Sequence, residues 1–248
     1  MSSKKVFLLV IAISIIGACN YRKNATDSSD TGHVSLKQLC EKYHTDKCPG
    51  GHNYLGVYEL FFNPFRNVAK KVAEIGIAQG ASLNLWKDYF PQATVYGIDI
   101  FDYSNLNTER IKTFIGDQSK RENLQGFITK YGSDFDFILD DGGHSMEQQQ
   151  VSFGFLFKYV KHSGYYIIED LQTSIYKGDY GSKPEFGTKP DESNATLTMI
   201  RTFINTRFIN SVYLTDEETE YLNKTIEYCS VFSTNNNSIT CIIKKKDS

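Results

Sequence analysis

The sequence predicts an α/β domain built on a mostly parallel sheet, and three observations carry that expectation. From residue 71 onward, short β-branched or aromatic runs alternate with longer segments of helical period, the pattern of βα units. Most of those runs close on an acidic residue or a glycine. The last two runs follow one another through a short Asn-rich turn, which makes that pair antiparallel.

Residues 1–19 differ in kind from the rest. Lys4 and Lys5 precede an apolar stretch, 6–16, interrupted only by Ser14 and followed by Gly17, Ala18 and Cys19. That is the plan of an export signal. The stretch is shorter than the roughly 20 residues a helix needs to cross a ~30 Å hydrocarbon core, so a permanent span is disfavoured. Ile16-Gly17-Ala18-Cys19 also resembles a bacterial lipobox, in which the cysteine is lipidated. The following segment, 20–34, holds few apolar residues and reads as a flexible tether. These features predict an exported or membrane-anchored protein, cytoplasmic only if the signal is unused, with its folded domain at 35–248.

Within that domain the strand candidates are 72–77, 94–100, 112–116, 135–140 and 165–169, then 226–232 and 238–243. Leu124, Phe127, Ile128 and Tyr131 recur at helical spacing between the third and fourth strands. Val151, Phe155, Leu156 and Tyr159 do so after the fourth, with 161–164 expected to end that helix. The Gly-, Lys- and Pro-containing segment 176–194 reads as a lid over an acceptor. Lys244 to Lys246 read as a solvated terminal run.

Composition narrows the function. With 40% hydrophobic and 23% charged residues the chain has the make-up of a soluble globular protein, and a formal net charge of −2 gives no reason to expect a nucleic-acid partner. Apart from Cys19 there are four cysteines, falling into the local pairs Cys40 with Cys48 and Cys229 with Cys241. The even number suits an oxidising compartment. The second pair is placed to face across a hairpin centred on Asn235.

In open α/β sheets the ligand lies outside the carboxyl ends of the strands, where strand order reverses, so acidic strand ends converge there. Glu74-Ile75-Gly76-Ile77-Ala78-Gln79-Gly80 closes the first strand with two glycines that let backbone approach a ligand. It lacks the G-x-G-x-x-G pattern and a following Lys-Ser or Lys-Thr, so phosphate cradling is disfavoured. Ser82 lies just beyond it, and Asp99, at the end of the second strand, is placed for a ribose diol. Gly116-Asp117-Gln118-Ser119 follows the third strand, with Asp117 or Ser119 as alternative helix caps.

The densest chemistry is Asp140-Asp141-Gly142-Gly143-His144 together with Glu169-Asp170. Asp141, Glu169 and Asp170 offer the hard oxygen donors Mg²⁺ prefers. A metal so held lowers the pKa of a bound hydroxyl, and His144, on a glycine turn beside it, is placed as general base. No cysteine is near enough for a thiolate zinc site.

These blocks in this order resemble the macrocin and mycinamicin family of sugar O-methyltransferases, to which cephalosporin-hydroxylase-like proteins are related. The resemblance runs over roughly 36–187 and includes Tyr43-His44-Thr45-Asp46-Lys47, His52-Asn53-Tyr54 through Tyr58-Glu59, Trp86 through Pro91 and Ile168 through Ser174. It implies a Rossmann-like class I methyltransferase fold, a seven-stranded sheet with helices on both faces. It implies S-adenosylmethionine held by Glu74, Gly76, Gly80, Ser82, Asp99, Asp117, Gln118 and Asp140. Mg²⁺ on Asp141, Glu169 and Asp170, His144 as base, and a sugar or glycosylated small molecule as acceptor complete the expectation, which leaves room for a homo-oligomer. The alternative is a non-catalytic exported or membrane-tethered binding protein on the same fold. Departures are His44 where a glycine is usual, Gly143 where a serine is usual, and the export segment itself.

Overall fold

The computed structural model describes residues 34–179 and 183–247. The expected signal, 1–19, and all but the last residue of the expected tether, 20–34, lie outside the described residues. The first helix, α1 (Leu36–Tyr43), opens on a capping box. Ser35 Oγ accepts from the Gln38 N–H and Gln38 Oε1 accepts from the Ser35 N–H. It is followed by α2 (Leu55–Phe62), β1 (Lys71–Ile75), α3 (Ala81–Tyr89), β2 (Thr94–Asp99), β3 (Ile111–Ile115), α4 (Arg121–Tyr131), β4 (Phe135–Asp140), α5 (Met146–Leu156) and β5 (Val160–Ile168). The chain closes through α6 (Thr196–Thr206), α7 (Asp216–Thr225), β6 (Ile226–Ser233) and β7 (Ile239–Lys245).

The seven strands form one sheet in the order β3-β2-β1-β4-β5-β7-β6, parallel through β5 and antiparallel where β7 pairs with β5 and β6. Side chains alternate across it, so Ile138 joins one apolar layer while its neighbours Phe137 and Leu139 join the other. The first layer packs α4 to α7, through Leu124, Phe153, Ile200 and Leu222. The second packs α1 to α3, through Leu39, Tyr58 and Trp86. The register aligns Ile75 with both Ile98 and Asp140, and Asp140 with Ile168, so the carboxyl ends of β2, β1, β4 and β5 finish level. Strand order reverses between β1 and β4, which is where a ligand cleft forms.

Several expectations need correcting. Residues 161–164 do not end a helix: α5 stops at Leu156, a 3-10 turn follows, and β5 begins at Val160. The apolar spacing there continued past the helix because Phe157 and Val160 are buried as well. Lys244 to Lys246 are not a solvated run. Lys245 lies in β7, 3% exposed, and donates to the carbonyls of Lys158 (2.8 Å) and Val160 (2.6 Å), which lets an apolar layer hold an ammonium. The hairpin turns one residue later than expected, so Cys229 sits opposite Ile243 and Cys241 opposite Val231, and both are buried free thiols. Cys40 and Cys48 are disulfide-bonded. The described part of 176–194 is pinned by bonds such as Thr188 Oγ1 to the Thr173 carbonyl (2.8 Å). Lys189, Ser193 and Asn194 line a separate cavity of about 360 Å³, and none of the described residues of 176–194 lines the cleft, so they do not form the expected lid. Among the described residues no helix is long and apolar enough to cross a membrane.

Candidate active site

A cleft of about 540 Å³ opens at the carboxyl ends of β1, β2 and β4, a volume in the range of small-molecule and cofactor pockets. Its floor is backbone. Gly76 takes φ +87°, and a Cβ there would stand 2.1 Å from the Asp141 carbonyl oxygen, so only glycine lets the ends of β1 and β4 close together. Gly80, at φ +79°, turns the chain into α3, and Ser82 lies on the cleft wall. The Asp99 carboxylate accepts from the N–H groups of Ile77 (2.8 Å) and Phe101 (3.0 Å). This braces the glycine loop against the end of β2. Beyond it Ile100 and Phe101 are 59% and 65% exposed, an apolar lip suited to a flat ring.

Other cofactor candidates sit below this surface. Asp140 is fully buried, and its carboxylate accepts from Gln118 Nε2 (2.9 Å), the Tyr166 hydroxyl (3.0 Å) and Ser152 Oγ. Burial pushes its carboxyl up to about 6, against the pull of those donors. Gln118 also accepts from the Gly143 N–H (2.7 Å), so this pair fixes the turn carrying Asp141 and His144 from beneath. Asp117 accepts from the Ser119 N–H (2.8 Å) and hydroxyl (2.7 Å), and Gly116, not Asp117, lines the cleft. Neither Asp117 nor Ser119 caps α4, whose N-cap is Lys120.

The metal candidates come together in part. Donor atoms of Asp141, His144 and Asp170 lie within 4.8 Å of one another, with His144 Nε2 3.4 Å from Asp170 Oδ2 and 3.9 Å from Asp141 Oδ1. His144 and Asp170 both adopt left-handed backbone, φ 56° each, which brings their side chains round to the strand ends. Thr173 Oγ1 holds the His144 carbonyl at 3.0 Å, while His144 Nδ1 is buried without a hydrogen-bond partner. Glu169, fully buried, turns the other way: Oε1 accepts from the Tyr58 hydroxyl and Oε2 lies 3.1 Å from Lys47 Nζ.

Lys47 is the centre of this arrangement. Its ammonium, 1% exposed, touches Asp141 Oδ2, stands 3.3 Å from Glu74 Oε1 and pairs with Glu169. Burial opposes its charge, yet Asp141, Glu169 and Glu74 hold it well above the usual lysine range. Burial likewise raises the Glu74 carboxyl to about 7, with Lys47 pulling the other way, and raises those of Asp141 and Glu169. Three carboxylates, Glu74, Asp141 and Glu169, surround one ammonium, and Asp141 stands with Asp170 and the His144 imidazole at the cleft surface. That donor set fits a hard divalent cation. The glycine floor, apolar lip and Asp99 fit a nucleoside-bearing ligand beside it.

Sequence reasoning gave Lys47, His52, Tyr54 and Tyr58 no role. Tyr54 and Tyr58 are one helical turn apart and deliver their hydroxyls to neighbouring carboxylates, Asp170 Oδ1 (2.9 Å) and Glu169 Oε1. His52 stacks on Tyr54 and places Nδ1 2.6 Å from Ser238 Oγ and 3.3 Å from Asp170 Oδ1. That i, i+4 pair of tyrosines was the available signal.

No family model matches the sequence. The chain is 34% identical over 200 residues to the mycinamicin VI 2''-O-methyltransferase of Micromonospora griseorubida, covering 77% of this chain and 46% of that protein. It is 36% identical over 172 residues to the demethylmacrocin O-methyltransferase of Streptomyces fradiae, covering 66% and 42%. The chain thus spans about half the length of the curated relatives it matches. The MycE methyltransferase of the mycinamycin pathway, solved with Mg, SAH and mycinamycin VI, superposes with a TM-score of 0.72 at 29% identity, over 87% of this chain and 55% of that one. By sequence and by fold the chain is a relative of the macrolide-pathway sugar O-methyltransferases, and its sheet is that of a class I methyltransferase.

Proposed function

We propose that this chain is an S-adenosylmethionine-dependent, Mg²⁺-assisted O-methyltransferase acting on a hydroxyl of a sugar or glycosylated small molecule. The observation that carries the reading is the meeting, in one cleft, of a glycine-floored cofactor wall and the Asp141, His144 and Asp170 donor group. Two named relatives methylate hydroxyls of mycinamicin VI and demethylmacrocin, and the MycE complexes hold Mg and SAH. When bound, the sulfonium supplies the methyl group and the divalent ion acidifies and orients the acceptor hydroxyl.

The chain's own residues do the rest. Gly76 would let backbone approach the cofactor, Gly80 turns the chain into α3 behind it, Ser82 and Asp99 would meet its polar side, and Ile100 and Phe101 would shield a ring from water. Asp141 and Asp170 would hold the metal, while Glu169 stands behind them on Lys47 and Tyr58. His144 Nε2, facing the same space, takes the acceptor proton as general base. Glu74, Gln118 and Asp140 support these groups from below.

The test is calorimetric titration of S-adenosylmethionine into the protein, with and without Mg²⁺, followed by an acceptor screen among glycosylated compounds read by a one-methyl mass gain. Micromolar uptake and such a gain are expected; a folded protein that binds neither would be a binding protein of another kind. We also propose that 1–19 directs export or anchoring and 20–34 is a tether. Cys40–Cys48 supports this, since disulfides persist in oxidising compartments. Recovery of the whole protein as an unprocessed, unlipidated species in the cytosolic fraction would reject it.

A further inference from the structure

We propose that Lys47 is a positioning residue for the divalent-ion site: from a loop closed by the Cys40–Cys48 disulfide, its ammonium holds one oxygen of Asp141 inward and leaves the other facing the site. The inference rests on the metal-assisted reading above and adds to it a residue that touches neither acceptor nor cofactor.

Three strand ends meet on this one cation. Glu74 lies in β1, Asp141 directly follows β4 and Glu169 directly follows β5, and these strands are neighbours in the sheet. The ammonium takes Asp141 Oδ2, while the other oxygen of Asp141, Oδ1, lies 3.9 Å from His144 Nε2. It takes Glu169 Oε2, with the Tyr58 hydroxyl on Oε1. An ammonium taken out of water needs partners that compensate its charge, and here three carboxylates supply them, so these contacts must be kept together for the side chain to stay where it is. Through Glu74 the same cation ties the metal carboxylates to the strand that ends in the cofactor's glycine loop.

The root of the lysine is held as firmly as its tip. Its N–H donates to Thr45 Oγ1 (3.1 Å), its carbonyl accepts from the Tyr54 N–H (2.9 Å), and the next residue, Cys48, is bonded to the buried Cys40 in α1. His44, Thr45 and Asp46, within the closed loop, form part of the cleft wall. The disulfide therefore limits the movement of a segment that carries both cleft wall and carboxylate anchor.

The competing account makes Lys47 a stand-in cation that the metal displaces. The two accounts predict opposite signs. Removing a positive charge should tighten Mg²⁺ binding if the lysine merely competes, and weaken it if the lysine positions Asp141. Mg²⁺ is titrated calorimetrically into the full chain, as wild type, as Lys47→Met and as Cys40→Ser/Cys48→Ser, with circular dichroism confirming the fold of each. Lys47→Met should lose about tenfold or more in Mg²⁺ affinity, the scale of lost support behind a metal ligand. The double serine variant keeps the charge and loosens the root, and should lose about threefold, a smaller share of the same effect. Unchanged or tighter Mg²⁺ binding by folded Lys47→Met would overturn the proposal. If that variant does not fold, unchanged binding by the double serine variant overturns it. A lowered melting temperature with unchanged Mg²⁺ affinity, the mark of a purely structural role, also overturns it. Wild-type protein that binds S-adenosylmethionine but no Mg²⁺ would instead reject the metal reading on which the proposal stands.

Discussion

At Gly76 two demands coincide: the backbone is left-handed, and the Asp141 carbonyl occupies the space a methyl group would need. Gly76→Ala should therefore destabilise by about 2 kcal/mol or more and shift Asp141, read as a lower urea midpoint and weaker Mg²⁺ binding. His144 raises a related difficulty, since φ is 56° and alanine would add backbone strain to the loss of the imidazole. Asparagine tolerates left-handed backbone better, so His144→Asn isolates the chemistry. Turnover should fall by about 10²- to 10⁴-fold while S-adenosylmethionine affinity stays within about twofold, as expected of a general base. Parallel loss of cofactor binding would mean that His144 shapes the cleft instead. The acidic strand ends and the glycines were readable from sequence because each obeys a local rule. Lys47 was not, because its role depends on three carboxylates separated from it by 27 to 122 residues, brought together only when β1, β4 and β5 align.

Among the elements, α7 shows how one side chain serves two structures. Glu218 Oε2 accepts from the Thr215 N–H (2.9 Å), completing a capping box, while both its oxygens receive the Arg121 guanidinium at 2.7 and 2.6 Å. Arg121, which also reaches the Tyr213 carbonyl (2.8 Å), opens α4, so the pair joins two helices on one face of the sheet. Glu218→Ala should cost about 1–3 kcal/mol, the sum of a cap and a half-buried bidentate pair discounted for solvent, whereas Thr215→Ala should cost about 1 kcal/mol. Equal shifts of the denaturation midpoint in the two variants would show that the arginine pair adds nothing. Strand and helix existence was legible here because hydrophobic period is a local property. The boundary at 156–160 and the hairpin register were not. Phe157 and Val160 continue an apolar pattern through a change of structure, and an Asn-rich turn admits more than one centre, so Cys229 and Cys241 fell two positions out of register.

Across the whole domain, the sheet gathers Glu74, Asp141, Glu169 and Asp170 at the carboxyl ends of β1, β4 and β5, where the Lys47 ammonium meets the first three. The net −2 of the sequence does not reveal this concentration, because the remaining charges are spread over both signs elsewhere. Like charges held together in a partly buried site raise the energy of the folded state, and a cation that binds only the folded arrangement relieves it. Mg²⁺ at about one hundred times its dissociation constant should add roughly 2.7 kcal/mol to folding stability. For a domain of this size that corresponds to a rise of about 5–10 °C in melting temperature. Chelation with EDTA should reverse the rise, and Ca²⁺, which accepts longer and more numerous oxygen contacts, should give a smaller one at equal concentration. In Asp141→Asn/Asp170→Asn the repulsion is already relieved, so the metal-free variant should melt at or above the metal-free wild type and gain nothing from Mg²⁺. Were the variant to melt well below the metal-free wild type and still respond to Mg²⁺, the ion would be binding elsewhere, and the convergence of carboxylates would serve the packing of strand ends alone.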